Sequence, residues 1–143
     1  MIFEEIKKSD INNIAKVYVK TFNAKPWNDK WTIETAYNRL MQMVNCEGFY
    51  GLMLKESDNI IGIILGNHEY YFTGMQFLIK EFCIDPDFQG KGYGKKLLNE
   101  FSTRLKENGI REIYLFTSKE QSAFYKKHDF WELNNIVFMN KEL

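Results

Sequence analysis

DPDFQGKGYGKKLL (residues 85–98) places glycine at positions 90, 92 and 94, directly ahead of a basic, leucine-containing run. The residues before it, MQFLIKEFCID, read as a strand closed by Pro86. The residues after it carry Leu97, Leu98, Phe101 and Leu105 at helical spacing and stop at Asn108-Gly109. A strand running through glycines into a helix is a phosphate-binding arrangement in general. First-turn amides have no partner inside the helix, and the helix dipole puts partial positive charge there. Glycine lets successive N–H groups converge on an anion with no Cβ in the way. Lys91, Lys95 and Lys96 add full charges beside it. The competing reading is a plain glycine-rich turn before a solvated basic helix.

The spacing excludes two common nucleotide loops. A P-loop needs a hydroxyl residue after Gly-Lys to reach magnesium, and here Gly94 is followed by Lys95-Lys96. A dinucleotide fingerprint needs glycine at position 95, where Lys95 stands, and an early βαβ unit.

Working outward, Ile2 to Ile6 reads as a short strand. Ser9 is the expected cap of a helix with Ile11, Ile14, Ala15, Tyr18 and Phe22 on one stripe. NAKPWNDKW (residues 23–31) breaks it, and Thr32 opens a second helix with the stripe Ile33, Ala36, Tyr37, Leu40, Met41, Val44. GFYGLMLK and IIGIILGN read as two strands joined by ESDN, followed after EYYFTG by the strand that leads to the glycines. REIYLFT is a further strand, Ser118 and Gln121 have capping-box spacing, and FWEL with IVFMNKEL, around Asn134-Asn135, predict a final hairpin. The predicted order is βααβββαβαββ in a single domain spanning residues 1–143: a mixed, mostly antiparallel α/β sheet with helices on both faces.

Lys plus Arg and Asp plus Glu each number 19, so the chain has no overall bias toward nucleic acid or an acidic membrane surface. No apolar run approaches the roughly 20 residues of a membrane span, and the N-terminal MIFEEIKK lacks a signal-peptide pattern. Cys46 and Cys83 are far apart, and His68 and His128 are isolated. The expectation is reduced thiols, no metal site and a cytoplasmic protein.

QGKGYG (Gln89 to Gly94) matches Q/R-x-x-G-x-G/A, and EFCIDPDF ahead of it resembles strand four of the GNAT superfamily of acetyl-CoA-dependent N-acetyltransferases. QSAFYKKHDF (residues 121–130) is similar to that family's second signature, with Phe124, Tyr125 and Phe130 at matching positions. Asp129 stands where glycine is usual, and Ser118 where an Asn often contacts the pantetheine arm. Length and element order extend the resemblance over the whole chain. A faint further likeness, in PWNDKW and the EF pair of strand four, is to aminoglycoside 6'-acetyltransferase-like members.

The resemblance implies acetyl-CoA as co-substrate, with its pyrophosphate on backbone amides of Gln89, Gly90, Lys91, Gly92, Tyr93, Gly94 and Lys95. It implies the pantetheine arm along Phe82, Cys83 and Ile84, near Ser118 and Phe124. Tyr125 is the expected acid for the departing thiolate, against a core aromatic by spacing alone. Glu81, a carboxylate in an apolar strand, is either the base or an ion-pair member. Trp27, Trp31, Tyr70 and Tyr71 are the expected acceptor-pocket residues, with Trp131 a further aromatic. The implied activity is acetyl transfer to a primary amine of a small molecule or peptide. A sensor domain that binds acyl-CoA without turnover is the rival reading. A homodimer is expected by analogy alone.

Overall fold

A computed structural model describes residues 1–143. The strands are β1 (Ile2–Glu5), β2 (Phe49–Glu56), β3 (Asn59–Tyr71), β4 (Gly74–Ile84) and β5 (Ile110–Tyr114). The helices are α1 (Ile11–Phe22), α2 (Ile33–Val44), α3 (Tyr93–Glu107) and α4 (Lys119–Lys126). The strands form one 5-stranded sheet in the order β1-β2-β3-β4-β5. Only the β4–β5 pairing is parallel. No helix is long and apolar enough to cross a membrane.

The sheet separates two apolar cores. On one face, Ile11, Ile14, Ala15 and Tyr18 of α1 and Ala36, Leu40 and Met43 of α2 pack on Met53, Ile63, Leu65 and Cys83. On the other, Leu97, Leu98, Phe101 and Leu105 of α3 pack on Leu52, Leu54, Ile61, Ile64, Phe77 and Ile79. The stripe read for α3 is the buried face of that helix.

Several local signals act as expected. Thr32 caps α2, its hydroxyl accepting from the Thr35 amide at 3.1 Å. Ser118 caps α4 in the same way, from Gln121 at 3.2 Å. Gly109, at φ +84°, ends α3, and Asp129 at φ +69° takes the left-handed conformation after α4.

Three expectations are corrected. Ser9 does not cap α1: it lies in a 3-10 turn, Lys8–Asp10, and the Asp10 carboxylate accepts from the Lys7 amide at 2.8 Å. EYY continues β3 rather than ending it, because β4 pairs with it as far as Tyr71↔Gly74. β2 reaches only Asn67, so beyond it β3 is an edge strand, with Tyr70 and Tyr71 exposed. The final hairpin does not form. Asn134–Asn135 turn, with the Ile136 amide on the Leu133 carbonyl at 3.3 Å, but the flanking segments make no ladder. Ile136 to Met139 remain exposed, so they bury no face that could sustain a lone hairpin. The observed order is therefore βααβββαβα.

The imperfect alternation of β4 has a specific cause. Leu65 pairs with Glu81 and Gly66 with Ile79, which leaves Lys80 as the extra residue of a β-bulge. A Cβ at Gly66 would collide with the Leu78 carbonyl, so glycine is what permits this approach. The bulge reverses the parity of the strand. Phe77 and Ile79 face α3, whereas Cys83 joins the α1–α2 core and Glu81 bonds to residues of α1 and α2.

Candidate active site

The loop between β4 and α3 is tied down at its base. Asp85 accepts from the Asp87 amide at 2.9 Å and from Lys20 Nζ of α1 at 2.8 Å. Gln89 Nε2 donates to the Ile84 carbonyl at 2.9 Å, fastening the loop to the end of the strand. Gly90 and Gly92 then adopt φ +76° and +84°, which costs an L-residue roughly 1–2 kcal/mol. Gly92 caps α3, whose first hydrogen bond runs from Lys96 N–H to the Gly92 carbonyl at 3.2 Å. From Gly90 to Lys95 no backbone amide finds an acceptor in the protein. Above Gly90 and Gly92 the space is open, with nothing within 4 Å of a Cβ built there. This run of free N–H groups at a helix N-terminus fits a polyphosphate anion.

Beside the loop the sheet splits. The β4–β5 ladder ends at Leu78↔Tyr114, so from Ile79 to Ile84 β4 is paired only with β3. One row of its amides and carbonyls faces the gap. On the α3 side of the gap Phe82 meets Phe124 at 5.9 Å and Tyr125 at 6.3 Å between ring centroids. A Cβ on Gly94 would stand 3.6 Å from the Phe124 ring, so the missing side chain leaves a slot between α3 and α4. Burial among Phe82, Phe124 and Phe130 pushes the Tyr125 hydroxyl up to about 12. That hydroxyl makes no hydrogen bond within the protein and is neutral at pH 7, so it is a proton donor. The Ser118 hydroxyl is committed to capping the helix that carries Phe124 and Tyr125.

The opposite face of β4 presents Glu81. Its Oε1 accepts from Tyr18 Oη at 3.0 Å and from Arg39 Nε at 2.7 Å, while Oε2 has no protein partner. The Glu81 side chain is 8% exposed and that of Arg39 43%. Burial raises the Glu81 carboxyl above its ordinary range, and Arg39 and Tyr18 draw it partly back. A raised carboxylate is a stronger proton acceptor. Cys83, one turn of the pleat further on, is buried, and burial pushes its thiol up to about 12, so it is not a nucleophile near neutral pH.

The aromatics expected to bind the acceptor divide into two groups. Trp31 packs edge-on against Tyr18 at 5.2 Å, lies under the Arg39 guanidinium at 5.8 Å and donates Nε1–H to Asp29 at 3.0 Å. Trp27 packs on Phe22 at 5.1 Å. Tyr70 and Tyr71 sit near the turn of the β3–β4 hairpin.

A cleft of about 600 Å³ opens on the α2 side where β5 leaves β4. Arg39, Gln42, Met43 and Cys46 of α2 form one wall. Leu78, Ile79 and Lys80 of β4, with Phe116 beyond β5, form the other; Trp27, Trp31, Tyr70 and Tyr71 are not part of either wall. Sequence reasoning did not single out Arg39, Lys80 or Phe116. One signal was present: Arg39 lies on the apolar stripe of its helix, three residues after Ala36 and four before Met43, and so mirrors the lone carboxylate in β4.

Residues 47–132 match the family described as the acetyltransferase (GNAT) domain. The chain is 28% identical over 143 residues to a [ribosomal protein bS18]-alanine N-acetyltransferase of Haemophilus ducreyi, covering 95% of this chain and 84% of that one. Its fold is similar to that of a possible acetyltransferase from Clostridium difficile 630, with TM-score 0.84, 15% identity and 99% and 97% of the two chains covered. It is also similar to an aminoglycoside acetyltransferase from an uncultured soil metagenomic sample, in complex with sisomicin, with TM-score 0.77, 19% identity and 99% and 95% covered.

Proposed function

The chain belongs to the GNAT acetyltransferase family, and from that membership we propose that it transfers the acetyl group of acetyl-CoA to a primary amine of a small molecule or peptide by direct attack on the thioester. The observation that carries this reading is the run of unpartnered amides from Gly90 to Lys95 beside the free edge of β4. It combines an anion cradle with a backbone edge able to take an extended arm. A sensor that binds without turnover needs neither an unbonded phenol nor an available carboxylate oxygen beside that edge.

Each residue then has a defined task. The amides of Gly90 to Lys95 hold the pyrophosphate, with Lys91 and Lys95 adding charge. Phe82, Cys83 and Ile84 present backbone groups to the pantetheine arm in the manner of an added strand. Phe124 and Gly94 shape the slot beside it. Acetyl-CoA supplies the activated acyl group. An N–H on the free edge of β4 stabilises the oxyanion, an effect worth ~3 kcal/mol in comparable sites.

The two proton transfers fall on opposite faces of β4. Glu81 Oε2, on the α1–α2 face, takes a proton from the incoming ammonium, directly or through one water. Tyr125, on the α3–α4 face, gives its proton to the departing sulfur. The free amine is scarce at neutral pH, since an alkyl ammonium has a pKa of about 10.4. A base of raised pKa at the acceptor side meets that need.

Thermal melts with acetyl-CoA, ATP and NAD test the reading, followed by thiol release with a panel of amines. A dose-dependent rise with acetyl-CoA alone, of about 2.7 kcal/mol at a hundredfold excess over Kd, supports it. A shift with ATP or NAD and none with acetyl-CoA sinks it. Binding without thiol release from any amine returns the sensor reading.

A further inference from the structure

The cleft on the α2 side carries charge that the transfer reaction itself does not require. Arg39 engages Glu81 through Nε only, and its two terminal nitrogens make no hydrogen bond. Lys80, the bulged residue of β4, is exposed and has no ion-pair partner. No acidic side chain lines the cleft; Glu81 is in contact with Arg39, one of its wall residues. An acceptor entering here meets two cations, one of them in contact with Glu81.

The geometry points to an acceptor that carries a carboxylate beside its amine, of the free α-amino-acid type with an apolar side chain. This rests on the acetyl-transfer reading above and names the class of its acceptor. In such a molecule a positive and a negative group are separated by a single carbon. The site offers the complementary pair at the same scale, with Glu81 and Arg39 in contact at 2.7 Å. The ammonium faces Glu81 Oε2, and the carboxylate takes the Arg39 fork and Lys80, a bidentate recognition for which guanidinium is suited. Met43, Leu78 and Phe116 supply an apolar wall for the side chain.

A second observation lies on the same face of the sheet, next to a wall residue. Asn67, 5% exposed, stands opposite Leu78 across the β3–β4 ladder, so the two share a face of the sheet. Its Oδ1 is buried without a hydrogen-bond partner, an acceptor that an N–H donor or a water held by one satisfies. Polycationic acceptors fit poorly, because each additional ammonium approaches Arg39 and Lys80.

The test uses the full chain, saturating acetyl-CoA and four amines: L-methionine, L-methioninamide, 3-(methylthio)propylamine and spermine. The rate of thiol release is read as kcat/KM. Methionine is expected to exceed methioninamide by about tenfold or more, the scale of a lost charge-assisted contact. This holds although the less basic amide offers more free amine. Lys80→Ala, at an exposed and unbonded position, brings the two values together through a higher KM for methionine with kcat retained. Equal or faster turnover of the amide, the decarboxylated amine or spermine overturns the proposal.

If no amine is acetylated, the transfer reading fails separately, and melts with coenzyme A present still decide the acceptor class. A larger shift with methionine than with methioninamide then supports the carboxylate site. Equal shifts, or none, overturn it.

Discussion

Tyr18 and Arg39 converge on the same oxygen of Glu81, at 3.0 and 2.7 Å, and leave Oε2 free. A carboxylate that served only as an ion-pair member in this position gains most by sharing both oxygens with its partners. One oxygen anchored and one open is the arrangement a positioned base needs. Glu81→Gln preserves the volume and the anchoring acceptor but removes the base. Turnover is expected to fall by about 10²-fold or more with acetyl-CoA affinity retained, and the acidic limb of the pH–rate profile to disappear. An unchanged limb assigns Glu81 to structure alone.

Tyr125→Phe tests the other proton. The ring keeps its packing against Phe82, Phe124 and Phe130, and no hydrogen bond is lost because the hydroxyl makes none. Stability and cofactor affinity are therefore expected to hold while kcat falls by about 10²-fold. Equal kcat in the variant removes Tyr125 as the acid.

The glycines of the loop separate by cause. Gly92→Ala forces an L-residue to φ +84° and is expected to cost roughly 1–2 kcal/mol in denaturant melts, as well as weakening acetyl-CoA binding. Gly94 is helical, and a Cβ there meets the Phe124 ring at an ordinary 3.6 Å. Gly94→Ala should leave the apo protein as stable or raise it by about 0.5–1 kcal/mol. It should nevertheless weaken cofactor binding, since the methyl enters the slot. A stable variant with unaltered affinity contradicts the placement of the arm.

Stability is expected to decline at alkaline pH. Burial pushes Cys83 from 9.0 up to about 12 in the folded chain and Tyr125 from 10.0 up to about 12. Tyr18 is raised further, by burial and the charge of Glu81. Between these values the unfolded chain has released protons that the folded chain still holds, so unfolding gains free energy as pH rises. The stabilisation is complete below about pH 9 and is lost progressively toward pH 12. Urea midpoints measured between pH 8 and 11 check this, and a flat profile contradicts it.

The legible parts of this protein are those that a local signal decides. Thr32, Ser118 and Asn108-Gly109 each bound a helix through chemistry within four residues, and the α3 stripe names its buried face directly. Gly90 and Gly92 announce left-handed backbone before a helix. Ser9 misled because residues 8–10 wind into a 3-10 turn of their own, in which the Asp10 carboxylate reaches back to the Lys7 amide. The Lys80 bulge was hidden, because it depends on Gly66 in the neighbouring strand. Without it Glu81 would share a face with Phe77 and Ile79. The Arg39–Glu81 contact spans 42 positions, so only the charge on each apolar stripe hinted at it. Trp27 and Trp31, expected at the acceptor, pack on Phe22 and Tyr18 of α1, and Trp31 also lies under the Arg39 guanidinium. Aromatic content does not distinguish a pocket wall from helix packing.

The central claim is that acetyl-CoA lies with its pyrophosphate on the free amides of the loop and its arm along the unpaired edge of β4. Hydrogen exchange of the backbone, followed by mass spectrometry with and without acetyl-CoA, measures this directly. The account predicts protection concentrated in Gly90 to Lys95 and in Lys80 to Ile84, with no comparable effect from ATP or NAD. Protection elsewhere with this loop still exchanging freely, or the same pattern with ATP, contradicts it.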